Sequence, residues 1–182
     1  MSTERRVQQR PLYQEDIVTR PGVRKVLAAS RILIGWVFLW AFVDKLFGLG
    51  FATDSAAAWV RGGTPAQGYI DNVVYGPFKG FFGLFSNAFG DWLFMLGLFG
   101  IGIAMVLGAG LRIAAVTGTL LLGFMYLAAL PFVAEAPPMT NPITDSHWVE
   151  AALLIISAVT LAGDTWGLGR WWAGKVGNGW LR

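Results

Sequence analysis

The chain has 182 residues, 55% of them hydrophobic and only 14% charged, with a net charge of +3. A water-soluble domain carries about 25% charged residues, so the composition excludes an ordinary soluble domain and points to a bilayer. The lack of Cys excludes disulfide relays, persulfide intermediates and Cys-ligated iron–sulfur or zinc sites within the chain, and a single His excludes a multi-His metal or haem site in one copy.

Residues 1–25 are polar and include Arg5, Arg6, Arg10, Arg20, Arg24 and Lys25. They read as a disordered basic cytoplasmic tail that touches anionic lipid. A cleaved signal peptide is not expected. Its polar region would be shorter, and its apolar run would end in a small-x-small site.

The first membrane span is predicted over 26–50. About 20 apolar residues cross a hydrocarbon core of about 30 Å. Arg31 lies near one end of this span and Lys45 near the other, so each can snorkel to an interface. Asp44 has no such reach. It needs a cation, most simply one on another helix, because Lys45 projects about 100° away.

Residues 51–90 form a long outer loop with interfacial helices. Asp54 is expected to cap a short helix through Trp59 and Arg61, and Gly62-Gly63 to stop it. Thr64-Pro65-Ala66-Gln67 reads as a capping box that opens another helix. Beyond Gly76-Pro77, residues Phe78, Phe81, Phe82, Phe85 and Phe89 recur at helical spacing. This aromatic face is either an amphipathic helix at the interface or one wall of a pocket for a flat apolar ligand such as a quinone.

The second span is predicted over 91–110 with Asp91 as its N-cap, and the third over 112–134, ending near Pro131. Gly100, Ala104 and Gly108 form a small-residue stripe on one. Ala115, Thr119 and Gly123 form a similar stripe on the other. Such stripes let helices approach closely, so these two spans are expected to pair. Residues 135–146 are a Pro-rich loop. The fourth span is predicted over 147–163, capped by Asp145 or Ser146, and the interfacial residues beyond it lead to a cytoplasmic tail over 173–182. The expected fold class is therefore all-α: an integral membrane four-helix bundle over 26–172.

Four spans put both termini on one side. Arg112, Arg170, Lys175 and Arg182 fall with the basic N-terminal segment, whereas the two long loops carry only Arg61 and Lys79. The positive-inside rule then makes both termini cytoplasmic in a plasma (inner) membrane. The basic balance reads as this topology signal and not as nucleic-acid binding.

With that topology, Asp44, Lys45, Asp91, His147 and Glu150 fall at similar depth near the outer face, with Trp40, Trp92 and Trp148 at the same level. Lys45 can bind an anion or polarise a quinone oxygen, and Glu150 or His147 can move protons. The candidate catalytic residues are Lys45, Glu150, His147 and Asp44. The candidate substrate-binding residues are Arg61, Lys79, Trp40, Trp59 and Trp148. Each also has a structural reading: Lys45 as a snorkelling cation, His147 and Glu150 as polar residues opening a helix, Asp44 as half of an ion pair. His147-x-x-Glu150 has the spacing of half a carboxylate metal site, but no second copy exists, so no metal is predicted.

Arg31-x-x-x-Gly35 through Lys45 resembles the first helix of the DoxX-like membrane proteins. The segment Ala58-Trp59-Val60-Arg61-Gly62-Gly63-Thr64-Pro65, with Gly76-Pro77-Phe78, is similar to the DoxD branch, the membrane subunit of thiosulfate:quinone oxidoreductase. Gly110-Leu111-Arg112 and His147-Trp148 fit the same layout, and the resemblance covers about 28–172. It implies a four-helix membrane bundle that oxidises thiosulfate to tetrathionate, passes electrons to a membrane quinone and works with a small partner subunit. Thiosulfate would be held by cations such as Lys45, Arg61 or Lys79. No haem, flavin or iron–sulfur motif is visible. The expected function is thus a membrane subunit of a quinone-linked oxidoreductase acting on a small anion at the outer face, with lipid and a redox subunit or second copy as partners. The alternatives are a non-catalytic scaffold subunit of an envelope redox complex and a small-solute transporter. The transporter reading lacks internal repeats and broken helices.

Overall fold

A computed structural model describes residues 10–74, 77–129 and 143–182. These form eight α-helices: α1 (Gln14–Ile17), α2 (Pro21–Phe47), α3 (Pro65–Val73), α4 (Lys79–Gly83), α5 (Ala88–Leu107), α6 (Leu111–Ala128), α7 (Ser146–Val159) and α8 (Gly169–Val176). No strand occurs among the described residues.

Three helices, α2, α5 and α6, are long and apolar enough to cross a membrane. Most of each apolar window faces outward, including Leu33, Leu96 and Leu120. In water such a surface would be an aggregation hazard; against acyl chains it carries no penalty. The fourth expected span, α7, has 14 residues. It measures about 21 Å at 1.5 Å per residue, short of a hydrocarbon core about 30 Å thick. The chain continues through a left-handed Leu161 (φ 51°) into a 3-10 turn, Ala162–Asp164.

Glycine and cap chemistry set the ends. Pro21 opens α2 in its first turn, and Gly48 closes it in the left-handed region (φ 63°), so the span begins and ends earlier than the expected 26–50. Helix α5 starts at Ala88, not at 91, because Asn87 is its N-cap and accepts the Gly90 amide at 3.1 Å. Gly108 ends it (φ 75°) and Gly110 (φ 71°) precedes α6. The expected end of the third span, with Pro131, lies outside the described residues.

Helix α2 packs along α5 and α6 along α7; α5 meets α6 less extensively, and α7 touches α2. The second and third expected spans thus do meet, but less extensively than α2 with α5 or α6 with α7. Gly35 and Gly102, and not the Gly100 stripe, bring α2 onto α5: a Cβ on Gly35 would lie 2.9 Å from the Val106 amide nitrogen, and one on Gly102 2.9 Å from that of Leu39. Gly118 receives the Leu154 side chain where α6 meets α7. Ile34, Phe38, Leu98, Met105, Leu122 and Leu154 fill the space between these helices.

The end of the molecule where the segment from Arg10 meets the C-terminal residues is a folded cap. From Arg10 onward the expected tail is ordered. Gln14 is fully buried and its backbone amide donates to Asp164 Oδ2 at 2.8 Å. Arg182 Nη2 donates to the same carboxylate at 2.9 Å, so the expected tail over 173–182 also folds back. Arg170 bonds Glu15 at 2.6 Å, and the Tyr13 ring lies under both Arg170 and Arg182. Arg31 does not snorkel. Its guanidinium is fully buried and donates to the carbonyls of Met105, Val106 (2.8 Å) and Trp166 (3.0 Å). Met105 and Val106 are among the last carbonyls of α5, which lack partners within the helix and carry its negative dipole end.

Candidate functional site

The opposite end, where α2 finishes and α5 and α7 begin, holds the residues singled out above. Asp44 is buried, and its carboxylate accepts the amides of Ala52 at 3.0 Å and Phe51 at 3.4 Å. Backbone donors beyond the end of its own helix thus satisfy it, where a cation on another helix was expected. Lys45 is half-buried, with Nζ 5.9 Å from the centre of the Phe94 ring on α5. Next to this turn, Trp40 stacks edge-on with Phe51 at 5.1 Å.

Asp91 is not an N-cap of its own helix. It sits in the first turn of α5, buried, and faces the start of α3. Its Oδ1 accepts the amides of Ala66 (2.8 Å) and Gln67 (3.2 Å), and Oδ2 accepts the Gln67 side-chain amide at 2.5 Å. A carboxylate at a helix N-terminus meets both orphan donors and the positive dipole end. The expected capping box is corrected here: Thr64 makes no side-chain cap, and the acceptor comes from another helix. Asp54 likewise makes no side-chain cap, and 54–61 forms two 3-10 turns, Ser55–Ala57 and Trp59–Arg61.

Docking α3 on α5 leaves a partly open cavity of about 140 Å³, with Phe81, Leu93 and Phe124 exposed at its rim. Phe81, Phe82 and Phe85 line one side, Leu93 and Phe94 of α5 another, and Phe124 and Met125 of α6 a third. The Phe rings meet edge-on, with Phe81 5.3 Å from Phe82 and 5.7 Å from Phe85. The expected aromatic face thus divides. Helix α4 has only five residues; its Phe81 and Phe82 form a wall with Phe85 beyond its end, and Phe89 is exposed on α5. Tyr69 of α3 is among the lining residues, and the cavity surface is almost wholly apolar. Burial, and secondly nearby Asp145, push the Tyr69 hydroxyl above its ordinary pKa, so it stays protonated.

Asp145 caps α7, accepting the His147 amide at 3.1 Å, while its other oxygen lies 2.6 Å from His147 Nδ1. Glu150 follows one turn later and is half-buried. Trp148 points outward, edge-on to Tyr126 of α6 at 5.2 Å. Arg61 is exposed and bonds Ser55, Trp59 stacks edge-on with Trp92 at 4.7 Å, and Lys79 is exposed at the start of α4.

The expected single cluster is therefore divided. Lys45 reaches the back of the cavity wall through Phe94. The Asp145–His147 pair approaches the cavity through Tyr69. Among the described residues no ion pair joins Lys45 to Glu150, and no three His, Asp or Glu side chains converge as a metal site. Sequence reasoning missed Tyr69 and the Asp145–His147 contact. The Asp-x-His spacing ahead of α7 was the available signal for the contact; nothing in the sequence placed Tyr69 at the cavity. In comparisons with known proteins the chain matches no family model, no curated protein and no solved structure.

Proposed function

We propose that this chain is the membrane subunit of a quinone-linked oxidoreductase, similar to the DoxD branch of the DoxX-like proteins, and that the aromatic cavity binds the quinone ring. The cavity carries this reading. An apolar cavity of about 150 Å³ accepts a benzene-sized ring, and this one measures about 140 Å³ with aromatic walls. Tyr69, among the lining residues, would supply a protonated hydroxyl if its ring turned inward, and Lys45 a positive charge behind Phe94. Asp145 and His147 would hand protons from the loop side. When bound, a quinone accepts two electrons and two protons to become the quinol. Oxidation of two thiosulfates to one tetrathionate releases those two electrons. Arg61 and Lys79, exposed on the same side as the cavity, would attract the anion.

The same proposal makes α2, α5, α6 and the α7 segment a four-span bundle, with α3 and α4 at the outer interface. Basic residues support that orientation: Arg10, Arg20, Arg24, Lys25, Arg112, Arg170 and Lys175 lie at the end with the folded cap, which becomes the cytoplasmic face. The test is to purify the protein in mild detergent, extract it and identify retained quinone by mass spectrometry. We expect quinone in the native protein and its loss when Ile70→Trp fills the cavity. Native protein that retains none and reduces none with thiosulfate would reject the reading.

A scaffold role is the second reading. It is favoured by the way Asp44, Asp91 and Asp145 all bond backbone amides, which is structural work. It predicts stable partner subunits and unchanged assembly after Glu150→Gln.

A further inference from the structure

The cavity under α3 and α4 is not isolated. A groove of about 570 Å³ runs between α5 and α6 and shares Leu93, Leu121 and Phe124 with it. From there the groove follows Gly97, Gly100 and Ala104 on α5 and Thr117 and Ile113 on α6, as far as Gly110. It therefore follows α6 from Ile113 to Phe124, about 16 Å at 1.5 Å per residue. Its floor is open because the glycines remove side chains. A Cβ on Gly100 would meet nothing within 4 Å. Its walls ask for no hydrogen bonds, since the Thr117 hydroxyl is already bonded to the Ile113 carbonyl at 2.8 Å.

We propose that cavity and groove form one binding site, in which the cavity takes the ring of a membrane quinone and the α5–α6 groove takes its polyprenyl tail. The inference rests on the quinone reading above and adds the tail site and the entry route. The shared residues argue for this occupant. A second helix seated on the glycine stripe would cover the opening at Leu93, Leu121 and Phe124, whereas a tail threads through it into the bilayer. A half-open apolar cavity whose exposed rim residues Leu93 and Phe124 also line an apolar groove fits a flat head with a hydrocarbon tail. Phe124 stands at the junction and contacts Phe81 and Phe82 at 6.1 and 6.3 Å. It is the residue around which the tail must bend.

Photolabelling in proteoliposomes tests this with two probes: a decyl benzoquinone with an azide on the ring, and one with a diazirine at the tail terminus. Labelled residues are mapped by mass spectrometry. We expect ring label on Ile70, Phe81 or Phe82 and tail label within 97–104 and 113–120. Gly100→Leu should keep the ring label and reduce the groove label about tenfold, the factor that about 1.4 kcal/mol of lost packing supplies. Ala104→Leu should do the same, which guards against a folding defect in either variant. Ring label in the cavity with tail label on the outer faces of α2 or α7 would overturn the tail site and leave the quinone reading standing. No ring label in the cavity would overturn both. Groove labelling by a diazirine phosphatidylcholine that excess quinone fails to displace would assign the groove to acyl chains. Disulfide cross-linking of two copies through Gly100→Cys, clean in a chain without native Cys, would assign it to a second copy. Either result overturns the proposal.

Discussion

Asp91 of α5 caps α3 from outside it, its Oδ1 2.8 Å from the amide nitrogen of Ala66. The contact spans 25 residues of sequence and fixes one wall of the aromatic cavity, because Ala66, Tyr69 and Ile70 of α3 all line it. Replacing Asp91 with Ala leaves buried amides without an acceptor, which costs about 1–3 kcal/mol. Asp91→Ala should lower the unfolding temperature in detergent and abolish retained quinone. Asp91→Asn keeps one oxygen acceptor and should lose less of both. Equal stability in all three proteins would mean that α3 does not depend on this cap.

The glycines of α5 make a second prediction, because they differ in what surrounds them. Gly102 meets Leu39 of α2, where an added Cβ would lie 2.7 Å from Leu39 Cγ. Gly102→Ala should therefore destabilise by about 1–3 kcal/mol through overpacking. Gly100→Ala should be neutral or slightly stabilising, since its Cβ meets open space and Ala is the better helix former by about 1 kcal/mol. Thermal unfolding of the two variants side by side checks the order.

Arg31 is the clearest single point of failure. Its guanidinium ties α2 to the end of α5 and to the turn at Thr165 and Trp166. Arg31→Met leaves those carbonyls unpaired and should cost at least about 2 kcal/mol. Arg31→Lys keeps the charge but not the planar fork, and should recover only part of the loss. If Lys restored full stability, charge alone would explain the residue.

The folded cap should respond to acid. The Arg170 hydrogen bond holds the Glu15 carboxyl below its ordinary value of 4.5. A carboxyl with a lowered folded-state pKa stabilises the fold above its unfolded pKa and loses that contribution as pH falls through the folded value. The pair is partly exposed, so its contribution is below about 1 kcal/mol. Protease sensitivity of residues 10–20 should rise below pH 4.5 in the native protein. In Glu15→Gln it should already be raised at neutral pH and change little on acidification.

The sequence by itself determined the helical class and the membrane-spanning length of three segments, because an uninterrupted apolar run has one stable form in a bilayer. It also determined the aromatic run that became a cavity wall; it did not determine the helix ends, which fall at Gly48 and Gly108 and not at the expected 50 and 110. It did not determine partners. Asp44 and Asp91 carry charge whose cost is visible in one dimension, but whether a cation or a backbone amide satisfies it depends on which chain end folds against them. Arg31 looked like an interfacial cation because it lies near one end of an apolar span; only the docking of α5 and the turn at 165–166 buries it. The Gly100 stripe and the Gly35–Gly102 contact are equivalent as patterns of small residues. Tertiary packing decided between them, since the close approach of two backbones depends on the rotation of each helix about its axis, and composition does not encode that rotation.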